Sequence, residues 1–288
     1  MSRYLEIDVF TLRPFHGNPL AVIVEAGGLD AVAMQRIAAW TNLSETAFLL
    51  PPTTPAADYR VRIFTPRQEL PFAGHPSVGA AYAAIIAGRM ADGPGSRTQE
   101  CAAGLLPLRI EGRGPERRIH VQAPRAKLHP PLPFAQGQSL ARALGASLQG
   151  SAQVVDVGAV WLLAGLADAA MVRALQPDPV AIAALTQRTG CVGVAVFGRE
   201  PAGGVALAVR AFCPGDGIAE DPVTGSANAA IGALLHQRGE LATIGARYRV
   251  SQGREVGRDG QIEVQVEGEG VVWIGGHCIA CVEGVIAL

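Results

Sequence analysis

Lysine is nearly absent from this sequence of 288 residues. Lys127 is the single lysine, and the other 23 basic residues are arginine. A phosphate-binding loop of the type G-x-x-x-x-G-K-[ST] is therefore excluded, because the lysine of that motif contacts the phosphates. A Schiff-base enzyme would have to use Lys127, which lies in a proline-flanked segment that predicts an exposed turn.

An excess of charge of either sign is also missing. The 24 basic and 25 acidic residues give a net charge of −1, and charged residues make up only 17% of the chain. Nucleic-acid-binding domains carry a clustered basic excess, so that class is not expected here. A small acidic substrate is compatible with this balance.

Long hydrophobic runs are lacking, although 49% of the residues are hydrophobic. The most apolar windows, 157–167 and 205–212, are shorter than the roughly 20 residues that a membrane-spanning helix needs. Arg3, Glu6 and Asp8 place charges where a signal peptide needs an apolar stretch. The sequence therefore predicts a cytoplasmic globular protein without membrane contact.

The cysteines are few, and their odd number argues against a disulfide framework. They are Cys101, Cys191, Cys213, Cys278 and Cys281. The pattern His277-Cys278-x-x-Cys281 fits a metal or redox pair, but a zinc site needs a second pair of ligands, which the sequence does not offer. The alternative, buried thiols in a pair of strands, is the interpretation that we favour, and no metal is predicted.

Hydrophobic periodicity predicts two series of strands and helices. In the first series we expect strands at 5–10, 20–24, 46–50 and 59–64, a helix capped by Asp30, and a helix over 77–87. The proline-rich stretch 124–133 predicts a linker. In the second series we expect helices at 139–148, 179–187 and 227–238, with a long loop over 213–226.

The two series contain an internal repeat in the spacing of their glycines. Gly74 and Gly225 lie 151 positions apart, as do Gly88 and Gly239. Between each pair lies an apolar, nearly uncharged segment, and a helix that is apolar all round is a buried helix. Two similar domains, each with a sheet around a central helix, would explain this repeated spacing. The alternative is that two buried helices have the same length by coincidence.

Both helix starts are candidates for anion binding. The segments 74–77 and 224–226 open these helices, where unpaired N–H groups and the helix dipole favour a negative charge. A carboxylate-bearing substrate would fit such a site. Each turn taken alone is also compatible with an ordinary helix cap.

Three titratable residues stand near these elements. Glu45 precedes an apolar strand, a position expected to raise its pKa as a general base requires; the alternative is a solvated loop glutamate. His75 could orient a carboxylate or transfer protons, or could be a core histidine. Asp221 precedes a proline and could be a simple turn residue.

Two other catalytic classes find no support. Neither Ser77 nor Ser226 lies in a G-x-S-x-G motif, which argues against serine hydrolysis. No G-x-G-x-x-G followed by a ribose-binding acid stands out, so a dinucleotide cofactor is not expected.

Seven sequence blocks occur in order over nearly the whole chain. They cover residues 8–11, 17–22, 42–48, 63–66, 72–76, 220–227 and 252–258. The blocks G-H-P-S at 74–77 and E-D-P-V-T-G-S-A at 220–227 are the most specific in combination. Together they resemble the PhzF-like phenazine-biosynthesis isomerase family, within the diaminopimelate-epimerase-like superfamily.

The resemblance implies an α/β (α+β) fold of two pseudo-symmetric domains, each a curved, mostly antiparallel sheet around a central helix. We therefore expect one domain at 1–122 with 277–288 and a second at 123–276. The resemblance further implies an active site in the cleft between the domains, a homodimer, and no cofactor or metal.

The resemblance also assigns roles to residues. Glu45 would move the proton, while His75, Asp221 and Ser226 would hold and polarise the substrate. The carboxylate would be received by the helix starts at Gly74, Thr224 and Gly225, and Asn18 and Ser77 complete the implied substrate contacts.

One departure separates this chain from the epimerases and racemases of the superfamily, which use a cysteine at each helix start. The corresponding positions here are Gly74 and Thr224. A single-glutamate proton shuttle is therefore predicted, in a cofactor-independent isomerase acting on a small carboxylated metabolite. A dehydratase or hydrolase, or a non-catalytic metabolite-binding protein, remains as an alternative.

Overall fold

Strands dominate the structure, a computed structural model that describes residues 1–200 and 204–288. The α-helices are α1 (Ala31–Thr41), α2 (Gly74–Ile86), α3 (Phe134–Leu144), α4 (Ala169–Ala174), α5 (Pro179–Thr189), α6 (Gly225–Gln237) and α7 (Leu241–Ile244). The strands of the first half are β1 (Ser2–Val9), β2 (Asn18–Ile23), β3 (Thr46–Leu50), β4 (Tyr59–Phe64), β5 (Glu69–Leu70), β6 (Gly95–Cys101), β7 (Gly104–Glu111), β8 (Arg118–Gln122) and β9 (Lys127–Pro131). Those of the second half are β10 (Gln153–Asp156), β11 (Val160–Gly165), β12 (Gly193–Arg199), β13 (Leu207–Cys213), β14 (Ile218–Asp221), β15 (Arg247–Gln252), β16 (Gly260–Glu267), β17 (Val271–Gly276) and β18 (Cys278–Ile286).

The chain divides into two compact units. The first unit consists of Met1–Gln122 together with Gly275–Leu288, and the second of Ala123–Ile274. The C-terminal strand β18 belongs to the first unit because it pairs antiparallel with β1.

The sheet of the first unit mixes antiparallel and parallel pairs. Strand β1 is antiparallel to β2, β2 is parallel to β3, and β3 is antiparallel to β4. Strand β4 is parallel to β6, which continues antiparallel into β7 and then β8. Helix α2 contacts β1, β2, β3, β4 and β8, so this sheet curves around it.

The second unit repeats this strand order. Strand β10 is antiparallel to β11, β11 is parallel to β12, and β12 is antiparallel to β13. Strand β13 is parallel to β15, which is antiparallel to β16, and β9 flanks β10 as β18 flanks β1. Helix α6 contacts β10, β11 and β16. The internal repeat expected from the glycine spacing is confirmed.

The two central helices match in length and environment. Helices α2 and α6 each span 13 residues and have most of their residues buried. They are followed by Gly88 and Gly239, whose φ angles of 69° and 71° lie in the left-handed region that favours glycine. Small residues in these helices let the sheet approach closely, and at Gly79 an added Cβ would lie 2.6 Å from Leu20 Cδ2 and 2.9 Å from Val9 Cγ2.

Several local predictions hold. The side chain of Asp30 caps α1 by accepting a hydrogen bond from the Ala33 N–H at 2.8 Å. Strands β3 and β4 have the predicted bounds. Helices α2 and α6 each begin a little earlier than predicted, because Gly74 and Gly225 open the helices instead of preceding them.

The proline-rich linker prediction is wrong in part. Lys127 begins strand β9, which pairs antiparallel with β10 through Asp156↔Lys127 and Val155↔Leu128. The segment is therefore neither a free linker nor an exposed turn, although Lys127 is exposed. The prolines are tolerated because an edge strand leaves some backbone N–H positions unpaired. The predicted loop 213–226 likewise contains a short strand, β14, and helices α4 and α7 were not anticipated.

The cysteines form no disulfide. All five are free, with Cys191 and Cys213 buried and the others half-buried, and burial raises the pKa of the Cys278 thiol to about 12. In the part of the chain that the structure describes, no group of three or more His, Cys, Asp and Glu side chains could hold a metal ion. Over the same residues, no helix is both long and apolar enough to cross a bilayer.

The close packing around α2 predicts opposite effects for two helical glycines. Gly79→Ala places a methyl group against Leu20 and Val9 and should lower the free energy of unfolding by about 1–2 kcal/mol. Gly137 in α3 has open space around its Cα, so Gly137→Ala should raise that free energy by about 0.5–1 kcal/mol. Urea unfolding of both variants measures this, and equal effects would show that α2 is not tightly enclosed.

Candidate active site

Glu45 lies at the junction between α1 and the buried strand β3. Helix α1 ends in Asn42, whose left-handed backbone (φ 54°) turns the chain and whose N–H donates to the Ala38 carbonyl. The hydroxyls of Thr41 and Thr46 are hydrogen-bonded at 2.7 Å, which joins the two ends of this short loop. Strand β3 then enters the sheet beside β2, so the loop holds Glu45 at the edge of an apolar layer.

The Glu45 carboxylate is enclosed and incompletely hydrogen-bonded. Only 17% of its side chain is exposed, and Oε2 is buried without a hydrogen-bond partner among the described residues. Burial raises the pKa of the Glu45 carboxyl from 4.5 to about 7, and the nearby Ser44 hydroxyl offsets only part of this shift. The raised pKa expected from the sequence is therefore present, and the group can both take and return a proton near neutral pH.

His75 faces this carboxylate from the first turn of α2. Its Nε2 lies 3.6 Å from Glu45 Oε2, a distance too long for a hydrogen bond but close enough for an ion pair when the ring is protonated. On the other side of the ring, the Asn18 amide nitrogen lies 3.5 Å from His75 Nδ1. Asn18 opens β2 and is buried, as is His75. The structure thus brings together three of the predicted site residues of the first unit.

The start of α2 is not capped by a side chain. Its N-cap is Ala73, which has no polar group to offer, and Gly74 is the first helical residue. Such an end keeps the anion-binding character of a helix N-terminus. Gly74 therefore occupies the predicted position.

Ser77 makes hydrogen bonds that stabilise the first turn of α2, and its predicted contact with substrate stays a prediction. Its side chain is fully buried, and its hydroxyl donates to the Ala73 carbonyl at 2.9 Å. The same oxygen accepts a hydrogen bond from Gln99 Nε2 at 3.0 Å, and Gln99 Oε1 accepts one from the Tyr59 hydroxyl at 2.8 Å. These contacts attach the first turn of α2 to β4 and β6.

In the second unit, Asp221 ends the short strand β14. The preceding residue, Glu220, forms a buried two-pronged ion pair with Arg210, with N–O distances of 3.0 and 2.7 Å. Arg210 also donates to the Leu175 carbonyl at the end of α4. The ion pair therefore fixes β14, and with it the backbone at Asp221, against the sheet.

Asp221 and Thr224 belong to one hydrogen-bond network. The Thr224 hydroxyl donates to Asp221 Oδ2 at 2.5 Å and accepts from Gln252 Nε2 at 2.8 Å. Gln252 Nε2 also donates to the Asp221 carbonyl at 3.1 Å. Gln252 Oε1 accepts from the Thr224 N–H at 3.1 Å and from Asn228 Nδ2 at 2.9 Å. Four bonds from one buried amide thus hold the start of α6.

Ser226, in the first turn of α6, contacts an aromatic residue. The Trp161 indole N–H donates to Ser226 Oγ at 3.0 Å. Trp161 lies on β11, and its ring fits there because the neighbouring strand carries glycine: a Cβ at Gly193 would lie 2.6 Å from the ring and from the Phe212 carbonyl oxygen. The Ser226 hydroxyl therefore has a defined orientation.

Each unit thus gathers its own share of the predicted residues. Glu45, His75 and Asn18 meet in the first unit, and the second unit brings together Asp221, Thr224, Gly225 and Ser226 at the start of α6. Three residues of these networks were not predicted from the sequence: Gln99, Trp161 and Gln252. Only Gln252 lay within one of the seven blocks, so it alone had a sequence signal.

Comparisons with known proteins identify the family of this chain. The model of the phenazine biosynthesis-like protein family, PhzC-PhzF, matches residues 7–284. Trans-2,3-dihydro-3-hydroxyanthranilate isomerase of Pseudomonas aeruginosa is 32% identical over 99% of both chains. An uncharacterized isomerase of Deinococcus radiodurans is 37% identical over 99% of this chain and 94% of the relative.

A solved structure extends the likeness to the fold. The crystal structure of a PhzF-family phenazine biosynthesis protein from Bacillus anthracis superposes with a TM-score of 0.85 and 26% identity. The match covers 100% of this chain and 99% of that one. The predicted fold class is confirmed. The chain therefore belongs to the PhzF family of phenazine biosynthesis-like proteins and is an isomerase.

Proposed function

We propose that this isomerase moves a proton on a small carboxylate-bearing metabolite, with Glu45 as its single acid/base and without a cofactor. The observation that carries the proposal is the buried Glu45 carboxylate, whose pKa of about 7 places both protonation states within reach at neutral pH. A base of this kind can remove a proton from a carbon atom and return it to another atom of the same substrate.

His75 supports this role from its position beside Glu45. A neutral ring that accepts from the Asn18 amide at Nδ1 would carry its proton on Nε2, the atom that faces Glu45 Oε2. The developing charge on the carboxylate or substrate would then face an N–H group in a water-poor environment. We assign His75 to holding and polarising the substrate.

The uncapped start of α2 supports binding of the substrate carboxylate. N–H groups at Gly74 and the helix dipole favour an anion, and no side chain of the N-cap residue competes for that place. In the second unit, Asp221 and Ser226 are assigned to hold and polarise the substrate, and the helix start at Thr224 and Gly225 to receive its carboxylate, as the family resemblance implies.

We propose only the class of substrate, a carboxylated metabolite, and no particular compound. The relative from Pseudomonas aeruginosa is named for trans-2,3-dihydro-3-hydroxyanthranilate, which makes this compound the first to test. The assay is run in D₂O with mass spectrometry of the product. An isomerase gives a product with the atoms of the substrate, in which the new C–H bond carries either the transferred hydrogen or deuterium that Glu45 has exchanged with the solvent, whereas a dehydratase gives a product that has lost water.

Glu45→Gln should remove turnover while binding of the substrate persists. Loss of a positioned acid/base typically lowers kcat by about 10²–10⁴-fold, whereas the amide keeps the size and most polar contacts of the carboxyl. Steady-state kinetics and calorimetric binding measure the two effects. Glu25→Gln, which alters an exposed glutamate paired with Arg89, serves as the control and should retain activity. A Glu45→Gln enzyme with full activity contradicts the assignment.

The raised pKa of Glu45 also predicts a pH-dependent stability difference. A carboxyl whose pKa rises on folding is stabilised in its protonated form, so its contribution to stability is present below pH 4.5 and is lost as the pH rises toward 7. Relative to Glu45→Gln, the wild-type protein should therefore lose about 2–3 kcal/mol between pH 4.5 and pH 8. Urea unfolding of both proteins at several pH values tests this. A difference that does not change with pH contradicts the raised pKa.

We infer from the same family resemblance that the protein is a homodimer. Sedimentation velocity over a range of protein concentrations should give a single species of twice the chain mass. A monomer at micromolar concentration would contradict this assignment without affecting the chemistry assigned to Glu45.

A further inference from the structure

Gln252 occupies an unusual position in the second unit. It is fully buried at the end of β15, and both polar atoms of its side-chain amide make two hydrogen bonds. The sequence analysis gave this residue no role, and neither does the proposed function, on which the following inference rests. Its contacts connect Asp221 and Thr224, both of which the proposed function assigns to the substrate.

The orientation of the Gln252 amide is determined by its partners. The Thr224 backbone N–H can only donate, so it must face Oε1, and the Asp221 carbonyl oxygen can only accept, so it must face Nε2. The Thr224 hydroxyl also lies at Nε2, and its oxygen therefore accepts a hydrogen bond from the amide.

This orientation gives the Thr224 hydroxyl a fixed direction. Its oxygen accepts from Gln252, and its single proton is donated to Asp221 Oδ2 at 2.5 Å. The chain of donors runs from the Gln252 amide through the Thr224 hydroxyl to the Asp221 carboxylate. Each member depends on the one before it.

Because its hydroxyl is directed at Asp221, Thr224 does not form the side-chain hydrogen bond that is usual for an N-cap residue. Thr224 is the N-cap residue of α6 and has the extended backbone of such a residue, with φ −107° and ψ 104°. A threonine at this position normally accepts a hydrogen bond from the second or third N–H of the helix, here Ser226 or Ala227. No such side-chain cap is formed. The hydroxyl is engaged by Gln252 and Asp221 instead.

The backbone after Gln252 reinforces the arrangement. Gly253 has a φ of 94°, and a Cβ at this position would collide with the Pro222 carbonyl oxygen. The chain therefore passes directly beside the segment that carries Asp221 and Thr224. Only glycine permits this approach, which places Gln252 at the helix start.

We propose that Gln252 is a positioning residue that keeps the start of α6 open for the substrate carboxylate. It holds the Thr224 hydroxyl on Asp221 and away from the N–H groups of Ser226 and Ala227. Without Gln252, the lone pair that accepts from its amide becomes available to the N–H groups of Ser226 and Ala227, so the hydroxyl caps the helix and competes with the carboxylate.

Amide hydrogen exchange tests this on the protein alone. In Gln252→Leu, the Thr224 hydroxyl is released, so the amides of Ser226 and Ala227 should become more protected than in the wild-type protein. In Gln252→Leu/Thr224→Val the added protection should be absent, because no hydroxyl remains to form the cap. Heteronuclear NMR resolves these amides, and unchanged protection in Gln252→Leu overturns the proposal.

The single variant Thr224→Val provides a second test should Gln252→Leu fail to fold. If the hydroxyl does not cap α6 in the wild-type protein, its removal leaves exchange at Ser226 and Ala227 unchanged. Faster exchange at these amides in Thr224→Val would show that the hydroxyl is a helix cap, and would overturn the proposal.

Ligand binding supplies a readout that a purely structural role would not move. Anthranilate, a simple aromatic carboxylate, serves as the probe in calorimetry, and KM for trans-2,3-dihydro-3-hydroxyanthranilate is measured alongside. Gln252→Leu should raise the dissociation constant or KM about tenfold, the effect of losing a hydrogen bond to a charged group. The double variant should bind as well as Thr224→Val and better than Gln252→Leu. A double variant worse than either single variant indicates additive structural damage and overturns the proposal.

Gln153 is the matched control. It is a second buried glutamine of the same unit, bonded to the His129 carbonyl and to Gln237, and it does not contact the start of α6. Gln153→Leu should lower stability without changing exchange at Ser226 or the affinity for anthranilate. The exchange data do not depend on Glu45, so loss of the proposed proton transfer and loss of this positioning role are distinguished.

Discussion

The burial of one carboxylate beside one imidazole is the constraint on which the rest of this structure depends. Glu45 would be more stable in water, where its charge is solvated, and the fold instead holds Oε2 in a buried position 3.6 Å from His75 Nε2. The short loop between α1 and β3 and the buried first turn of α2 are both needed to keep these groups in place. The resulting pKa of about 7 is the property that an acid/base group requires at neutral pH.

Equivalent positions of the internal repeat carry different side chains in the two units. Strand β12 has the same place in the second unit as β3 in the first, since each follows a parallel neighbour and precedes an antiparallel one. Glu45 directly precedes β3, whereas Val192 directly precedes β12. The helix starts differ in the same way, with His75 in the first unit at the position of Ser226 in the second. A carboxylate directly before this strand in the first unit, and none at the equivalent position of the second, is consistent with a single base.

Two fully buried glutamines lie on equivalent strands of the repeat. Gln99 and Gln252 lie on β6 and β15, strands with equivalent places in the two sheets, and each is fully buried. Gln99 contacts Ser77 and Gln252 contacts Asn228, residues at the same position of the first turns of α2 and α6. In each unit a glutamine therefore attaches the central helix to its sheet. Only in the second unit does that glutamine also contact an N-cap hydroxyl.

Much of the fold could be predicted from the sequence, and less of the site. The period of the apolar residues indicated β3, β4 and the two central helices, because burial on one or all sides leaves a clear pattern. The prediction of a linker over 124–133 was wrong because composition alone does not reveal that an edge strand tolerates prolines. The roles of Ser77 and Trp161 could not be predicted, since they depend on contacts between residues far apart in sequence.

Carbon-13 NMR titration of the Glu45 carboxyl in the wild-type protein tests the central claim most directly. The signal is assigned by its absence in Glu45→Gln. The titration is carried out on the protein alone and needs no substrate. Burial of this group predicts a titration midpoint near pH 7. A midpoint near pH 4.5 would show that the carboxylate is solvated, and would contradict its proposed role as the acid/base of the reaction.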